Sequence, residues 1–369
     1  MRLQKNALAD AKGERMVTVE SSSPPLRTSW DGGAKTKGVG LADLLRLFGA
    51  GASGAILLGL RDGPLRTKAL TTRVPGFGPR TVYRYVERLV EIGAIEREEE
   101  PGVPSKVIHH LTDPCGVELS GLIDRFARTW LEVLPDGGIV PHSWGCLTQL
   151  GDLWESEMFK KLNGGPCTAT ELARLDHDLS FHQVSRRINL FMASRLLRES
   201  DEDRARRHYE LTQEARRRTA LIAGLGRWRA RYVGAPEEPG LTADETAELL
   251  RAALPLITLP DHVGKSFELS VAGGDRSNGD GGEVVWAEVA PDGSVACTNP
   301  LADVDGRGRG EIGDWIKALL QGSKVRASGD RSVIKACMER MHAALWRESS
   351  RSVSTPAAAE AVTARSNGA

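Results

Sequence analysis

The 369-residue sequence has no net charge, because 49 Lys and Arg balance 49 Asp and Glu. The basic field that advertises many nucleic-acid and membrane-surface binders is therefore absent from the chain as a whole. Cysteine is scarce. The five present (Cys115, Cys146, Cys167, Cys297, Cys337) form no C-x-x-C pair and leave one over, which argues against a disulfide framework or zinc site and for a reducing cytoplasm. No apolar run is clean enough for a membrane span. Leu44 to Leu60 comes nearest, but it holds Arg46, Gly49, Gly51, Gly54 and Gly59 and reads as buried helices. Arg2, Lys5, Lys12 and Glu14 interrupt any signal-peptide core, so a cytoplasmic location is expected.

Catalytic signatures are missing too. There is no nucleophile elbow, no H-E-x-x-H and no paired acid and base. Gly76-x-Gly78 follows no expected strand and lacks the third glycine of a dinucleotide loop. Asp303-x-Asp305-Gly306 has calcium-loop spacing, yet puts Leu301 and Ile312 at the first and twelfth ligand positions. His109-His110 falls in an expected strand, where a metal role is unfavourable. The expectation is a non-enzymatic protein with no catalytic residue, no metal and no cofactor.

What the sequence has is an internal repeat. Residues 44–112 and 147–212 follow one pattern about a hundred positions apart, and a repeat governs how the whole fold is read. The first copy runs Gly63-Pro64, Leu70, a helix through Arg80-Thr81-Val82-Tyr83-Arg84, Gly93-Ala94-Ile95, a charged hairpin and His110-Leu111-Thr112. The second runs Gly165-Pro166, Leu172, His182-Gln183-Val184-Ser185-Arg186, Arg195-Leu196-Leu197, an Arg-rich hairpin and Glu210-Leu211-Thr212. Each copy reads as a winged helix. Each is followed by a long amphipathic helix, striped by Val117, Leu119, Leu122, Ile123, Phe126, Trp130 and Leu134 in one copy. Ala215, Thr219, Ile222, Leu225, Trp228 and Tyr232 make a narrower stripe in the other. Such stripes need a partner, and the economical one is each other or a second subunit.

A recognition helix fills the core with one face and offers donors to bases and phosphates with the other. In the first copy Val82, Val86, Leu89 and Val90 form the inner face, leaving Arg80, Thr81, Tyr83, Arg84 and Arg88 as DNA-binding candidates. In the second, Val184, Ile188 and Phe191 face inward, leaving His182, Gln183, Ser185, Arg186 and Arg187. Arg can bond bidentately to guanine and Gln to adenine. The second hairpin adds Arg204, Arg206 and Arg207, suited to phosphate or a narrow minor groove. The first opens with Glu96, Glu98, Glu99 and Glu100, which would repel phosphate, so unequal contributions from the two halves are expected. Charge is uneven along the chain, with a basic excess over 147–233 and an acidic one over 241–347.

The first copy resembles the HxlR branch of winged-helix regulators, relatives of the MarR type. The carriers are Leu60-x-x-Gly63-Pro64-Leu65-Arg66, then Pro75-Gly76-Phe77-Gly78-Pro79-Arg80-Thr81-Val82, then Leu89-x-Glu91-x-Gly93-x-Ile95-x-Arg97, with Pro104 and Leu111-Thr112 completing it. The second copy is similar but diverged, with Leu179-Ser180-Phe181-His182-Gln183 in place of the Gly-x-x-Pro-Arg-Thr pattern. The resemblance implies a winged helix-turn-helix fold and double-stranded DNA as partner. Thiol sensing by a cysteine near the domain start, known in some members, is not implied, since no cysteine precedes Cys115.

From Leu241 the pattern becomes mixed. A capping box at Thr242 and Glu245 opens a helix, Phe267/Leu269/Val271 and Val285/Ala287/Val289 alternate as strands, and Asp292-Gly293 turns a hairpin. Two apolar helices follow, separated by a short strand around Val325. Leu319-Leu320-x-Gly322-x-Lys324-Val325 and Gly329-Asp330 resemble the sterol-carrier-protein fold, which implies a hydrophobic small molecule lined by Trp315, Ile316, Leu319, Met338 and Met341; the other assignment for these five is plain core. The expected architecture is multidomain: a disordered tail over 1–39, winged helix-turn-helix domains over 40–135 and 146–234, an α/β sterol-carrier-like domain over 241–347, and a tail over 348–369. The expected function is a DNA-binding transcriptional regulator with no membrane partner, acting as a monomeric pseudo-dimer or a homodimer. A protein–protein scaffold is the alternative.

Overall fold

The computed structural model describes residues 39–74, 76–101, 106–131, 141–175, 179–200, 207–233, 240–273 and 282–346, all within one compact unit spanning Thr36–Ala369. Both expected tails, the linkers around 135–138 and 236–239, Pro104, Arg204 and Arg206 lie outside these residues. Val39, assigned above to the tail, is buried instead.

The first segment is built from α1 (Leu41–Gly49), α2 (Ala52–Gly59), β1 (Leu65–Arg66), α3 (Thr67–Arg73), α4 (Pro79–Glu91), β2 (Ile95–Glu100), β3 (Lys106–Leu111) and α5 (Cys115–Trp130). After a 3-10 turn the second repeats the order with α6 (Gly145–Trp154), α7 (Glu157–Asn163), β4 (Cys167–Thr168), α8 (Ala169–Ala173), α9 (Phe181–Ala193), β5 (Leu197–Glu199), β6 (His208–Leu211) and α10 (Gln213–Tyr232). The small antiparallel sheets have matching orders, β1-β3-β2 and β4-β6-β5. Gly63 and Gly165 share a φ near +135° (136° and 135°), and Leu70 and Leu172 are fully buried in α3 and α8. The near-membrane stretch becomes α1 and α2, bent by 80° at their junction and packed in the interior; no single helix among the described residues is long and apolar enough to cross a membrane.

The two segments meet through two helix pairs. α1 lies on α6, with Gly49 against the backbone of Thr148 and Gly151 against Leu45 and Ala42. α5 lies on α10, where Leu122 sits over Gly224, the Trp228 indole donates to the Cys115 carbonyl at 2.9 Å, and Arg231 pairs with Glu118 at 2.7 Å. The apolar stripe of α10 is wider than the sequence suggested, since Leu221, Ala223 and Gly226 are buried beside Ile222 and Leu225. The reason is a second neighbour: α10 also packs against helices of the C-terminal segment.

That segment comprises α11 (Ala243–Ala253), β7 (Ser266–Ala272), β8 (Glu283–Val289), β9 (Val295–Thr298), β10 (Gly306–Glu311), α12 (Ile312–Gln321), β11 (Arg326–Gly329) and α13 (Arg331–Trp346). Its five-stranded sheet has the order β11-β10-β7-β8-β9, with β10 parallel to β7 and the other pairs antiparallel. The expected capping box forms, Thr242 N donating to Glu245 Oε2 at 2.8 Å and Glu245 N to Thr242 Oγ1 at 3.1 Å. One strand went unforeseen. β10 reads Gly-Arg-Gly-Arg-Gly-Glu, a composition that argues against a strand, yet its glycines lie beneath the helices. A Cβ at Gly306 would fall 2.7 Å from Val333, and one at Gly308 would fall 3.2 Å from Trp315. The Asp303–Gly306 stretch with calcium-loop spacing serves this strand: Asp305 accepts from Ser266 N at 2.9 Å and from Lys265 at 3.0 Å. The strand expected around Val325 begins at Arg326.

Candidate nucleic-acid interface

α4 starts where Pro79 occupies its first turn, and buries Val82, Tyr85, Val86 and Leu89. On its remaining faces Arg80, Tyr83 and Arg84 are exposed and Thr81 and Arg88 half-buried. Tyr83 is 48% exposed. Arg84 lies over the Tyr85 ring at 4.9 Å, and Arg88 pairs with Glu91 at 3.3 Å. The latter contact draws Arg88 back along its own helix.

α9 stands at the same offset as the rest of the repeat, so Arg186 corresponds to Arg84, and Val184, Ile188 and Phe191 to Val82, Val86 and Leu89. These three are buried, while His182, Gln183 and Arg186 are exposed and Ser185 and Arg187 half-buried. Gln183 is engaged at the start of its own helix. Its Oε1 accepts from Ser180 N and Oγ, both at 2.8 Å, while Ser180 Oγ accepts from Gln183 N at 3.3 Å. This capping box ties the amide oxygen to the helix start, leaving no free O/N pair for bidentate contact with adenine. Arg80, Arg84, Arg186 and Arg187 make no ion pair with any described residue.

The turn after each helix is built alike. Gly93 N and Ala94 N donate to Val90 O and Leu89 O at 2.9 and 2.8 Å; Arg195 N and Leu196 N donate to Met192 O and Phe191 O at the same distances. Thr112 Oγ1 then donates to Gly93 O at 2.5 Å, and Thr212 Oγ1 to Arg195 O at 2.7 Å. These bonds fix each hairpin relative to its helix. In the first hairpin Glu96, Glu98 and Glu99 are exposed, Glu100 is held by Arg66 at 3.0 Å, and Arg97 is paired with Glu87. In the second, Arg198 faces Glu210 at 2.8 Å, and Arg207, 78% exposed at its side chain, approaches Glu199 at 3.6 Å. The asymmetry expected from the sequence thus reaches the surface: one hairpin displays acids, the other arginine.

Two exposed residues escaped the sequence reading. Lys68 projects from α3, and Phe181, 56% exposed, opens α9. Lys68 could have been found by its position one helix before α4; Phe181 gave no signal, since an aromatic beside Leu179 looks like core.

The five residues proposed to line an apolar tunnel are packed as interior. Trp315, Ile316, Leu319, Met338 and Met341 are all buried, and the Trp315 indole donates to the Ser270 carbonyl at 3.0 Å. Burial disfavours the thiolate form at each cysteine. It pushes the thiols of Cys115, Cys146, Cys167 and Cys337 up and that of Cys297 to about 11, away from the thiolate form that oxidation needs.

Comparison with known proteins bears on the first segment. No curated protein sequence matches the chain. Among solved structures, the transcriptional-regulator candidate ytfH of Salmonella typhimurium is similar at 27% identity, covering 23% of this chain and 75% of its own, with a TM-score of 0.22. YodB of B. subtilis is similar at 29% identity in both its diamide-treated and reduced forms, each covering 22% of this chain. The shares of those chains are 81% and 80%, and both TM-scores are 0.21. Residues 49–134, from the end of α1 past α5, match the HxlR-like helix-turn-helix family, and α4 lies within the matched residues.

Proposed function

We propose that the chain is a DNA-binding transcriptional regulator in which α4 and α9 act as the recognition helices of two tandem winged helices. The observation that carries this is the matched pair of outward arginines, Arg84 and Arg186. They stand at equivalent positions of two helices that close in the same way, and neither has an acidic partner among the described residues. An HxlR-like match over residues 49–134 supports the first half of the reading; the repeated element order supports its extension to the second. Arg80 and His182 stand at the helix starts, where base edges are reached first in helix-turn-helix docking. Phosphate contact falls to Lys68 and to the second hairpin. The acids on the first hairpin make that half the weaker contributor.

The test is fluorescence anisotropy on a duplex enriched from random sequence, with salt varied. A DNA-binding chain loses affinity linearly in log salt with a slope of about −0.9 per phosphate neutralised. Arg84→Ala and Arg186→Ala are each expected to cost about 1–3 kcal/mol, and to relax sequence preference locally if the contact is to guanine. A folded double variant that binds as tightly as the parent would remove both residues from the interface. An absence of salt-dependent binding to any duplex would favour the scaffold alternative. Control by an apolar ligand remains part of the proposal only if the packed interior around Trp315 and Met338 opens, which lipid co-purification in native mass spectrometry would reveal.

A further inference from the structure

A cleft of about 240 Å³ lies where all three segments meet, bounded by α1, the α6–α7 corner and the first turns of α11. Its apolar walls come from Leu41 and Ala42 on α1 and from Trp154 and Phe159, whose rings stand 5.0 Å apart and are tilted by 58°. The polar lining is one-sided. Glu155, Glu157, Asp244, Glu245 and Glu248 contribute carboxylates, and Lys160 is the one ammonium among the lining residues.

Several of those charges are already engaged. Arg46 holds Glu155 at 2.5 Å, and Arg251 and Asn163 hold Glu248 at 2.5 and 2.8 Å. Glu245 accepts from Thr242 N. That leaves Lys160 to answer two carboxylates, Asp244 at 2.9 Å and Glu157 at 3.5 Å. The hydrogen bond to Asp244 holds the Lys160 ammonium above its ordinary range. The protein thus places its own cation in the lining of a cleft that the half-buried Trp154 also lines, with the buried Phe159 ring packed behind it. Aromatic faces with nearby carboxylates are the chemistry that recognises organic ammonium ions. The volume falls just below the roughly 300–1,000 Å³ of pockets for drug-sized ligands, so the occupant is small.

We infer that this cleft binds a small organic cation, an ammonium group on a compact apolar body, which sits against Trp154 and shares the Asp244 and Glu157 carboxylates with Lys160. The inference concerns binding and holds whether or not the chain recognises DNA.

Calorimetric titration of the full chain near neutral pH tests it, with choline as the cationic probe and 3,3-dimethylbutan-1-ol as its uncharged isostere. Choline is expected to bind about tenfold more tightly than the alcohol. Lys160→Met removes the competing ammonium and is expected to tighten choline binding severalfold, an effect no purely structural role for Lys160 would give. Trp154→Leu keeps the wall apolar without its π face and is expected to weaken choline selectively. Equal isotherms for the two probes, no saturable binding by either the parent or the Lys160→Met chain, or choline affinity unchanged in a folded Trp154→Leu chain would each overturn the assignment.

Discussion

At the turn that ends α9, Arg195 holds φ +56° where its counterpart Gly93 holds +75°, and the same pair of backbone bonds closes both turns. An L-residue there brings its Cβ close to the following carbonyl, at a cost of roughly 1–2 kcal/mol, whereas glycine incurs none but loses more chain entropy on folding. Arg195→Gly is therefore expected to stabilise the chain by about 0.5–1 kcal/mol in urea denaturation; a lower midpoint would mean that the arginine side chain makes a contact outweighing the strain. A second single-residue effect concerns pH. His109 is buried in β3 with Nε2 2.9 Å from Thr67 Oγ1. Burial, followed by Arg97, pushes its pKa below the ordinary 6.5, with Glu87 opposing and His110 adding. The folded chain thus favours the neutral ring. Its contribution to stability is complete above the unfolded value and is lost as pH falls below it towards the folded value. Between about pH 7.5 and about pH 5.5 the urea midpoint should fall more for the parent than for His109→Gln; parallel decreases would locate the sensitivity in other groups.

At the scale of elements, the α1–α6 contact depends on the absence of a side chain. A Cβ on Gly49 would meet Thr148 Oγ1 at 2.2 Å and its backbone nitrogen at 2.5 Å, so Gly49→Ala forces the helices apart. Overpacking of that kind costs about 1–3 kcal/mol, and denaturant midpoints should drop accordingly; no change would show that the pair yields without loss. In the sequence Gly49 appeared only as an interruption of an apolar run, because a close approach between helices a hundred residues apart leaves no local periodicity. Period-based signals did better. The inner faces of α4 and α9, the capping box of α11 and the alternation of β7 and β8 were all legible, since each is set by neighbours within a few positions. β10 was not: its glycines are dictated by Trp315, Val333 and Ile334 packed above them, side chains outside the strand that leave no alternation within it. Gln183 carries a second role that is local, since Ser180 three positions earlier makes it a capping-box partner. Its type suits adenine as well as a cap.

At the scale of the molecule, the three segments share one interior rather than hanging on linkers. α10 packs against α5 on one side and against α11, α12 and α13 on the other. Trp346 at the end of α13 reaches Trp130 of α5 at 5.6 Å, with Arg125 over its ring at 3.8 Å. A buried polar node joins the rest: Arg216 donates to Asn163 at 3.3 Å, and Asn163 to Glu248 at 2.8 Å. Such a body holds α4 and α9 in a fixed relation. Dimeric helix-turn-helix proteins reach that state with two chains, placing recognition helices about 34 Å apart on one face of DNA. If α4 and α9 are such a pair, one chain should cover both half-sites. The preferred site should also be asymmetric, because Arg80 and Thr81 of α4 differ from their counterparts His182 and Gln183 of α9. Light scattering of the complex with a minimal enriched duplex is expected to give one chain per duplex, and enrichment to return unlike half-sites. Two chains on a perfectly palindromic minimal site would show that the paired helices of one chain do not replace dimerisation. A single chain protecting only one half-site would assign DNA contact to one helix alone, with α9 and its arginine-bearing hairpin the stronger candidate on charge.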